Sequence, residues 1–161
     1  MMALQAIRSS PPTDPRLAKD WKVVGYLTAL DVILRKGQNK INLKEAKEAF
    51  YGVVAQSIAS PEQYIAIVRG TSGIVEWIED AEFVQIPHPV AGRVEEGFWG
   101  IYSSMRLRTN ATAPAQPVVD GICKLIGNQA SLTVVGHSLG SAVATYLTFD
   151  LATPLGNRLS A

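Results

Sequence analysis

The stretch that most restricts the fold is "SLTVVGHSLGSAVATYLTF" at residues 131–149, where a short apolar run meets a helical pattern at a glycine-flanked serine. The apolar run predicts a buried strand, and the small residues after the turn allow a helix to pack closely. Gly136-His137-Ser138-Leu139-Gly140 fits G-x-S-x-G, a strained strand-to-helix turn that exposes a nucleophilic serine. A Cβ at Gly136 or Gly140 would be crowded at such a bend. The alternative interpretation is an accidental corner between a strand and a helix.

Length and composition predict one globular domain covering residues 1–161, with 47% apolar and 18% charged residues. The net charge is +1, from 15 Lys and Arg against 14 Asp and Glu, and no basic stripe indicates a nucleic-acid partner. A single cysteine excludes an internal disulfide and a cysteine-based zinc cluster. We therefore expect no metal and no cofactor.

The N-terminal residues "MMALQAIRSSPPTDP" lack the charged start and long apolar centre of a secretion signal. No run reaches the roughly 18 apolar residues of a membrane span. A cytoplasmic location is the favoured expectation.

The pattern along the chain predicts an α/β fold with a mostly parallel sheet. Asp14-Pro15 is a good helix start, and the apolar spacing up to Gly37 predicts an N-terminal helical extension over residues 1–41. Two strands follow in "FYGVVAQ" and "YIAIVRG", then helices in "GFWGIYSSMRLR" and "VVDGICKLIGNQ", and then the strand "SLTVVG". Strands that alternate with helices in this way are typical of a parallel sheet.

Three segments resemble class 3 (fungal-type) lipases, a family with the α/β-hydrolase fold. "IVRGTSGIVEWIEDAEF" is similar to the family's RGT/RGS segment and its short lid helix, "VEEGFWGIYSSM" to its middle helix, and "GHSLGSAVA" to its nucleophile turn. The segments occur in family order over residues 64–152. The resemblance covers only the N-terminal portion of the family's fold.

The resemblance implies a serine ester hydrolase of the triacylglycerol-lipase type that acts on a lipid or ester and transiently contacts a lipid interface. Ser138 would be the nucleophile, with the N–H groups of Thr71 and Leu139 as donors to the oxyanion. Residues 72–83 would form a lid, although an ordinary surface helix is the alternative. The apolar side of that lid would consist of Ile74, Trp77 and Ile78.

Two positions depart from the family pattern. Glu95 stands where the family usually has a histidine, two residues before the "GF" of the middle helix, so that histidine's hydrogen bond would be altered. Ser141 stands where many members have a further glycine. We expect packing to tolerate this smaller change.

The sequence lacks an evident base for Ser138. In this fold the acid and the histidine follow the serine, but the only acid after Ser138 is Asp150 and no histidine follows it. Asp150 lies twelve residues along the predicted helix, about 18 Å away at 1.5 Å per residue. His137 is adjacent to Ser138 and should point to the opposite face, whereas His88 lies between prolines on a predicted loop.

We therefore expect the chain to be an incomplete hydrolase domain whose missing C-terminal half pairs with the strand at 131–136 and supplies the acid and the base. The alternative is a non-catalytic module that binds a lipid or a protein partner. The sequence leaves lipase and esterase activity undistinguished, and a G-x-S-x-G turn also occurs in peptidases and thioesterases.

Overall fold

A seven-stranded mixed sheet organises the residues that the computed structural model describes, which are 10–13, 15–31, 46–70 and 84–161. The strands in chain order are β1 (Trp21–Leu30), β2 (Glu48–Ser57), β3 (Gln63–Val68), β4 (Gln85–His88), β5 (Gly92–Glu95), β6 (Arg106–Arg108), β7 (Gln116–Pro117), β8 (Ser131–Gly136) and β9 (Leu159–Ser160). The order in the large sheet is β7-β6-β1-β2-β3-β8-β9, and β4 and β5 form a separate antiparallel hairpin.

The helices are α1 (Leu17–Asp20), α2 (Glu96–Ser103), α3 (Val118–Ile126) and α4 (Leu139–Leu155), and a 3₁₀ turn (Gly156–Arg158) follows α4. The predicted helices α3 and α4 are confirmed, and α2 is confirmed over its first part, whereas the end of the segment predicted for it forms β6. The two predicted strands β2 and β3 pair antiparallel as a hairpin. The core lies between the sheet and these helices. Its largest fully buried side chains are Leu27, Met105, Leu107, Ile122, Leu132, Leu147 and Leu151.

The predicted N-terminal helix is wrong over its central part, where the chain forms β1. This strand pairs antiparallel with β2 on one side and β6 on the other. Leu27, Thr28 and Ala29 are consecutive and all buried, so both faces of β1 are covered and the alternation that reveals a half-exposed strand is absent. The spacing of the apolar residues therefore fitted a helix, although Trp21, Val23 and Val24 are residue types that favour a strand.

The expectation of a mostly parallel sheet is also wrong. Among the described strands of the large sheet, the β3–β8 and β8–β9 pairs are parallel and the other four pairs are antiparallel. A parallel pair needs a long crossover connection, usually with a helix. The chain provides one between β3 and β8 and another, through α4, between β8 and β9, whereas β1 is a strand where a helix was predicted.

The far side of β8 carries a short partner strand. Leu132 and Thr133 pair with Leu159 and Ser160 of β9, and the hydroxyls of Thr133 and Ser160 are 2.9 Å apart. The strand at 131–136 was expected to pair with a missing segment, but at these two positions its partner is β9 of the same chain. Beyond them, Val135 is 37% exposed.

Candidate active site

Ser138 occupies a sharp turn between β8 and α4 and has a backbone conformation that side-chain-bearing residues rarely adopt. Its φ is 58° and its ψ is −129°, and it is the one non-glycine residue with positive φ among the described ranges. The turn is fixed by hydrogen bonds from Gly140 N to His137 O at 2.9 Å and from Ser141 N to Ser138 O at 2.8 Å. A strained backbone of this kind costs on the order of 1–3 kcal/mol and is concentrated at functional sites.

Gly136 and Gly140 allow the strand, the turn and the helix to meet. A Cβ on Gly136 would overlap the carbonyl oxygen of Gly140, and a Cβ on Gly140 would lie 2.5 Å from the carbonyl oxygens of Val68 and Arg69. These are backbone atoms, which cannot rotate away as a side chain can. The crowding predicted from the sequence at both glycines is confirmed.

The end of β3 runs beside the serine turn because β3 and β8 are parallel and Val68 pairs with Gly136. His137 N donates to Val68 O at 3.3 Å, just where the two strands end. A Cβ on Gly70 would lie 3.1 Å from Ser138 Cβ and 2.7 Å from His137 O. Gly70 therefore packs directly against the serine turn, a contact that the sequence pattern did not reveal.

Leu139, one of the two predicted oxyanion donors, lies within the described residues. The N–H of Leu139 belongs to the first turn of α4, where amides have no partner within the helix, and the Leu139 side chain is buried. Thr71 and the predicted lid residues Ile74, Trp77 and Ile78 lie outside the described residues.

Neither histidine is hydrogen-bonded to Ser138 in the described part of the chain. His88 Nδ1 accepts hydrogen bonds from the N–H groups of Val90 and Ala91, at 3.3 and 2.9 Å, which fixes the ring within the β4–β5 turn. Its ring centroid is 4.6 Å from that of Trp99. His137 precedes the serine and is exposed.

Asp150 has a different partner from the serine. It accepts a hydrogen bond of 2.5 Å from the hydroxyl of Tyr102 on α2, and this contact joins α2 to α4. Burial, reinforced by this carboxylate, raises the pKa of Tyr102 well above its usual range. Trp99 and Tyr146 pack beside Tyr102 in the same aromatic cluster.

Glu95 caps the N-terminus of α2. Its carboxylate accepts hydrogen bonds from Gly97 N at 3.0 Å and from Phe98 N at 2.7 Å. A carboxylate is also favoured there by the helix dipole. Glu95 thus fixes the start of α2, a role that the sequence analysis missed although an acid immediately before a helix was the available signal.

A groove of about 420 Å³ opens beside the serine turn, between β8 and α4. Phe149 on its α4 side is 51% exposed. Other lining residues are Val134, Gly136, Ser141, Ala144, Thr145, Thr148 and Ala161.

Over the described ranges, no three His, Cys, Asp or Glu side chains are grouped so that they could hold a metal ion. In the same part of the chain, no helix has both the length and the apolarity needed to cross a bilayer.

Comparison with known proteins finds a lipase relationship. The model of the family "Lipase (class 3)" matches residues 65–158, more than half of the chain. Phospholipase A1-II 6 of Oryza sativa subsp. japonica is 28% identical over 137 residues, which is 74% of this chain and 33% of the relative. A lipase of Rhizomucor miehei is 34% identical over 101 residues, covering 62% of this chain and 26% of that lipase.

The solved structure of M37 lipase has a similar fold, with a TM-score of 0.58 and 21% identity. The match covers 92% of this chain and 46% of M37 lipase. The chain thus spans about a third of the length of the plant relative and under half of this lipase.

Proposed function

Because the chain belongs to the class 3 lipase family, we propose that the protein carrying this sequence hydrolyses carboxylic esters of lipids through an acyl-enzyme on Ser138. The observation that carries the proposal is the strained backbone of Ser138 at the junction of β8 and α4. A serine at such a turn presents its Oγ to a substrate and lies beside unpaired helix amides. Acylglycerols and phospholipids are the proposed substrate classes, since the relatives are named lipase and phospholipase A1.

In the proposed reaction, Ser138 Oγ attacks the ester carbonyl carbon and passes its proton to a base. The carbonyl oxygen becomes an oxyanion that accepts hydrogen bonds from the N–H groups of Leu139 and Thr71. Each such donor is worth about 3–4 kcal/mol of transition-state stabilisation in well-studied proteases. Collapse of the intermediate breaks the bond to the alcohol, which leaves with a proton, and water then hydrolyses the acyl-enzyme to release the acid.

The base and its acid partner are proposed to lie outside these 161 residues. His88 is bound within its own turn, and Asp150 is bound to Tyr102. In the proposed arrangement, a further segment of lipase fold pairs with β8 over residues 134–136, beyond β9, and covers the groove beside Phe149. The exposed Val135 and Phe149 support this arrangement.

The segment 72–83 is proposed to be a lid whose apolar residues, Ile74, Trp77 and Ile78, meet a lipid interface. Amphipathic spacing in the sequence supports this proposal. Such a lid would cover the ester site in water and expose it at a lipid surface.

Hydrolysis of an emulsified triacylglycerol and of phosphatidylcholine vesicles tests the proposal, with Ser138→Ala as the matched control. We expect release of fatty acid by the wild-type protein and a loss of at least about 10³-fold in Ser138→Ala, because that variant has no nucleophile. Equal rates in the two proteins would overturn the assignment of Ser138.

A second candidate function is a non-catalytic module that binds a lipid or a protein partner. The observation that favours it is that neither histidine of the sequence is bonded to Ser138 among the described residues, while an apolar groove is open beside β8. Saturable binding of vesicles by both wild type and Ser138→Ala, without fatty-acid release by either, is the result that this second function predicts.

A further inference from the structure

The Arg69 side chain connects two neighbouring strands immediately behind the serine turn. Its Nε donates to the carbonyl oxygen of Phe50 on β2 at 2.6 Å, and its Nη1 donates to the carbonyl oxygen of Gly70 at 3.1 Å. The guanidinium carbon also lies 4.9 Å from the centre of the Tyr51 ring. The Arg69 guanidinium is thus held by a carbonyl and an aromatic ring of β2, and it also binds the carbonyl of Gly70, which follows β3.

The Tyr51 ring is itself fixed, so Arg69 rests on a rigid support. Tyr51 is 4% exposed, and its hydroxyl donates to Asp31 Oδ1 at 2.8 Å, next to the end of β1. The backbone N–H of Arg69 donates to Tyr51 O at 2.8 Å. The position of the Arg69 guanidinium therefore follows from contacts that reach from β3 across β2 to the end of β1.

Gly70 connects this support to the site, because it packs against both His137 O and Ser138 Cβ. The hydrogen bond from Arg69 Nη1 to the Gly70 carbonyl oxygen therefore restrains a backbone segment that borders the turn of Ser138. The same turn carries the N–H of Leu139, an oxyanion donor of the proposed reaction.

We propose that Arg69 is a positioning residue of the ester-hydrolysis site: its guanidinium holds the Gly70 peptide against the Ser138 turn and so keeps Ser138 Oγ and the Leu139 N–H in position. The inference rests on the proposed function and assigns a residue that does not itself touch the substrate. Oxyanion donors act by being oriented in advance, so a peptide that can rotate loses much of its effect.

Arginine suits this role better than lysine. The guanidinium is a rigid fork with five donors, which can bond two carbonyl oxygens and stack on an aromatic ring at the same time. A lysine at this position keeps the charge and an apolar stem but presents a single ammonium on a flexible chain. Arg69→Lys is therefore the informative variant, and Arg69→Met is a second variant that keeps packing on Tyr51 without any donor.

Arg108 offers a matched control, because its guanidinium also forms several hydrogen bonds. It donates to the Glu48 carboxylate at 2.9 and 3.0 Å. It lies on β6, which is separated from β8 by three strands, or about 19 Å at the usual strand spacing. Arg108→Lys therefore reports the general effect of losing a bidentate arginine from this sheet.

The experiment measures kcat and KM for ester hydrolysis in wild type, Arg69→Lys, Arg69→Met and Arg108→Lys, together with the amide hydrogen exchange of His137 and Gly140. We expect kcat to fall by about 10–100-fold in both Arg69 variants with little change in KM, since misplaced donors weaken transition-state binding. Exchange at the two turn amides should become faster in the same variants. Arg108→Lys should resemble wild type in both measurements.

Several results would overturn the inference: an unchanged kcat in Arg69→Lys, an effect on KM alone, or an equal fall in Arg108→Lys. Absence of hydrolysis in the wild-type protein would instead contradict the proposed function. In that case the exchange measurement decides whether Arg69 holds the turn, because unchanged exchange in both Arg69 variants rejects the positioning role by itself.

Discussion

Ser138 combines an ordinary side chain with a backbone conformation that glycine adopts more readily. Its φ of 58° and ψ of −129° are maintained by the hydrogen bonds of the turn and by the close contacts at Gly136 and Gly140. The surrounding structure thus holds one residue in a strained backbone conformation, which is common at functional sites.

A stability comparison of Ser138→Gly with Ser138→Ala tests whether this strain is present. Relief of about 1–3 kcal/mol, partly offset by the greater freedom of glycine in the unfolded chain, should make Ser138→Gly more stable by about 1 kcal/mol. The free energy of unfolding in urea is the measurement. At an unstrained site alanine would be the more stable of the two, so that order would contradict the assignment of strain.

An element can be predicted from the sequence when the residues that specify it lie within it. The G-x-S-x-G pattern specifies the serine turn, and an apolar helix face followed by Gly127 specifies α3. The strand β1 depends on partners far along the chain, β2 and β6, and its local spacing pointed to a helix. The hydrogen bonds of Arg69 were equally unpredictable, because a side chain that donates to backbone carbonyls leaves no repeating pattern.

The cap on α2 predicts a measurable loss when its carboxylate is removed. Glu95→Ala should lower the free energy of unfolding by about 1 kcal/mol, because Gly97 N and Phe98 N lose their acceptor. Glu96→Ala is the control, since Glu96 lies in the same turn and also favours the helix dipole. Urea unfolding should show the larger loss for Glu95→Ala, and equal losses would argue against the cap.

The ion pair between Glu48 and Arg108 joins β2 to β6 across the intervening β1. Hydrogen bonds from the Arg108 guanidinium lower the pKa of Glu48 from its ordinary value near 4.5. Since the folded pKa is the lower one, the stabilisation is present above about pH 4.5 and is lost as the pH falls through the folded pKa.

Glu48→Gln should therefore be less stable than wild type at pH 7 and approach it at pH 3. The difference at pH 7 should be below about 1 kcal/mol, because the pair is partly exposed to water. Urea midpoints at the two pH values are the measurement. A difference that grows on acidification would contradict this sign.

Within the described part of the chain, β9 pairs with two residues of β8, and the rest of that edge of β8 has no described partner strand. The adjacent groove and the half-exposed Phe149 provide an apolar surface beside that edge. Open strand edges next to apolar surface promote association between chains. The site and the edge are formed by the same strand, so completion of the sheet and activation of Ser138 are linked in the proposed function.

Phe149→Ser should weaken concentration-dependent self-association of the 161-residue chain in sedimentation experiments. The reason is that it removes the largest exposed apolar side chain of the groove. Ile58→Ser provides the comparison, as Ile58 is 58% exposed and lies outside the groove. If the two substitutions weakened self-association equally, the groove beside the edge of β8 would not be the surface through which the chains associate.

Treatment of the protein carrying this sequence with a fluorophosphonate, followed by location of the adduct by peptide mass spectrometry, tests whether Ser138 is the nucleophile. We expect one adduct, on Ser138, that is absent from Ser138→Ala. An adduct on another residue, or no adduct while circular dichroism shows an intact fold, would contradict the assignment of Ser138 as the nucleophile.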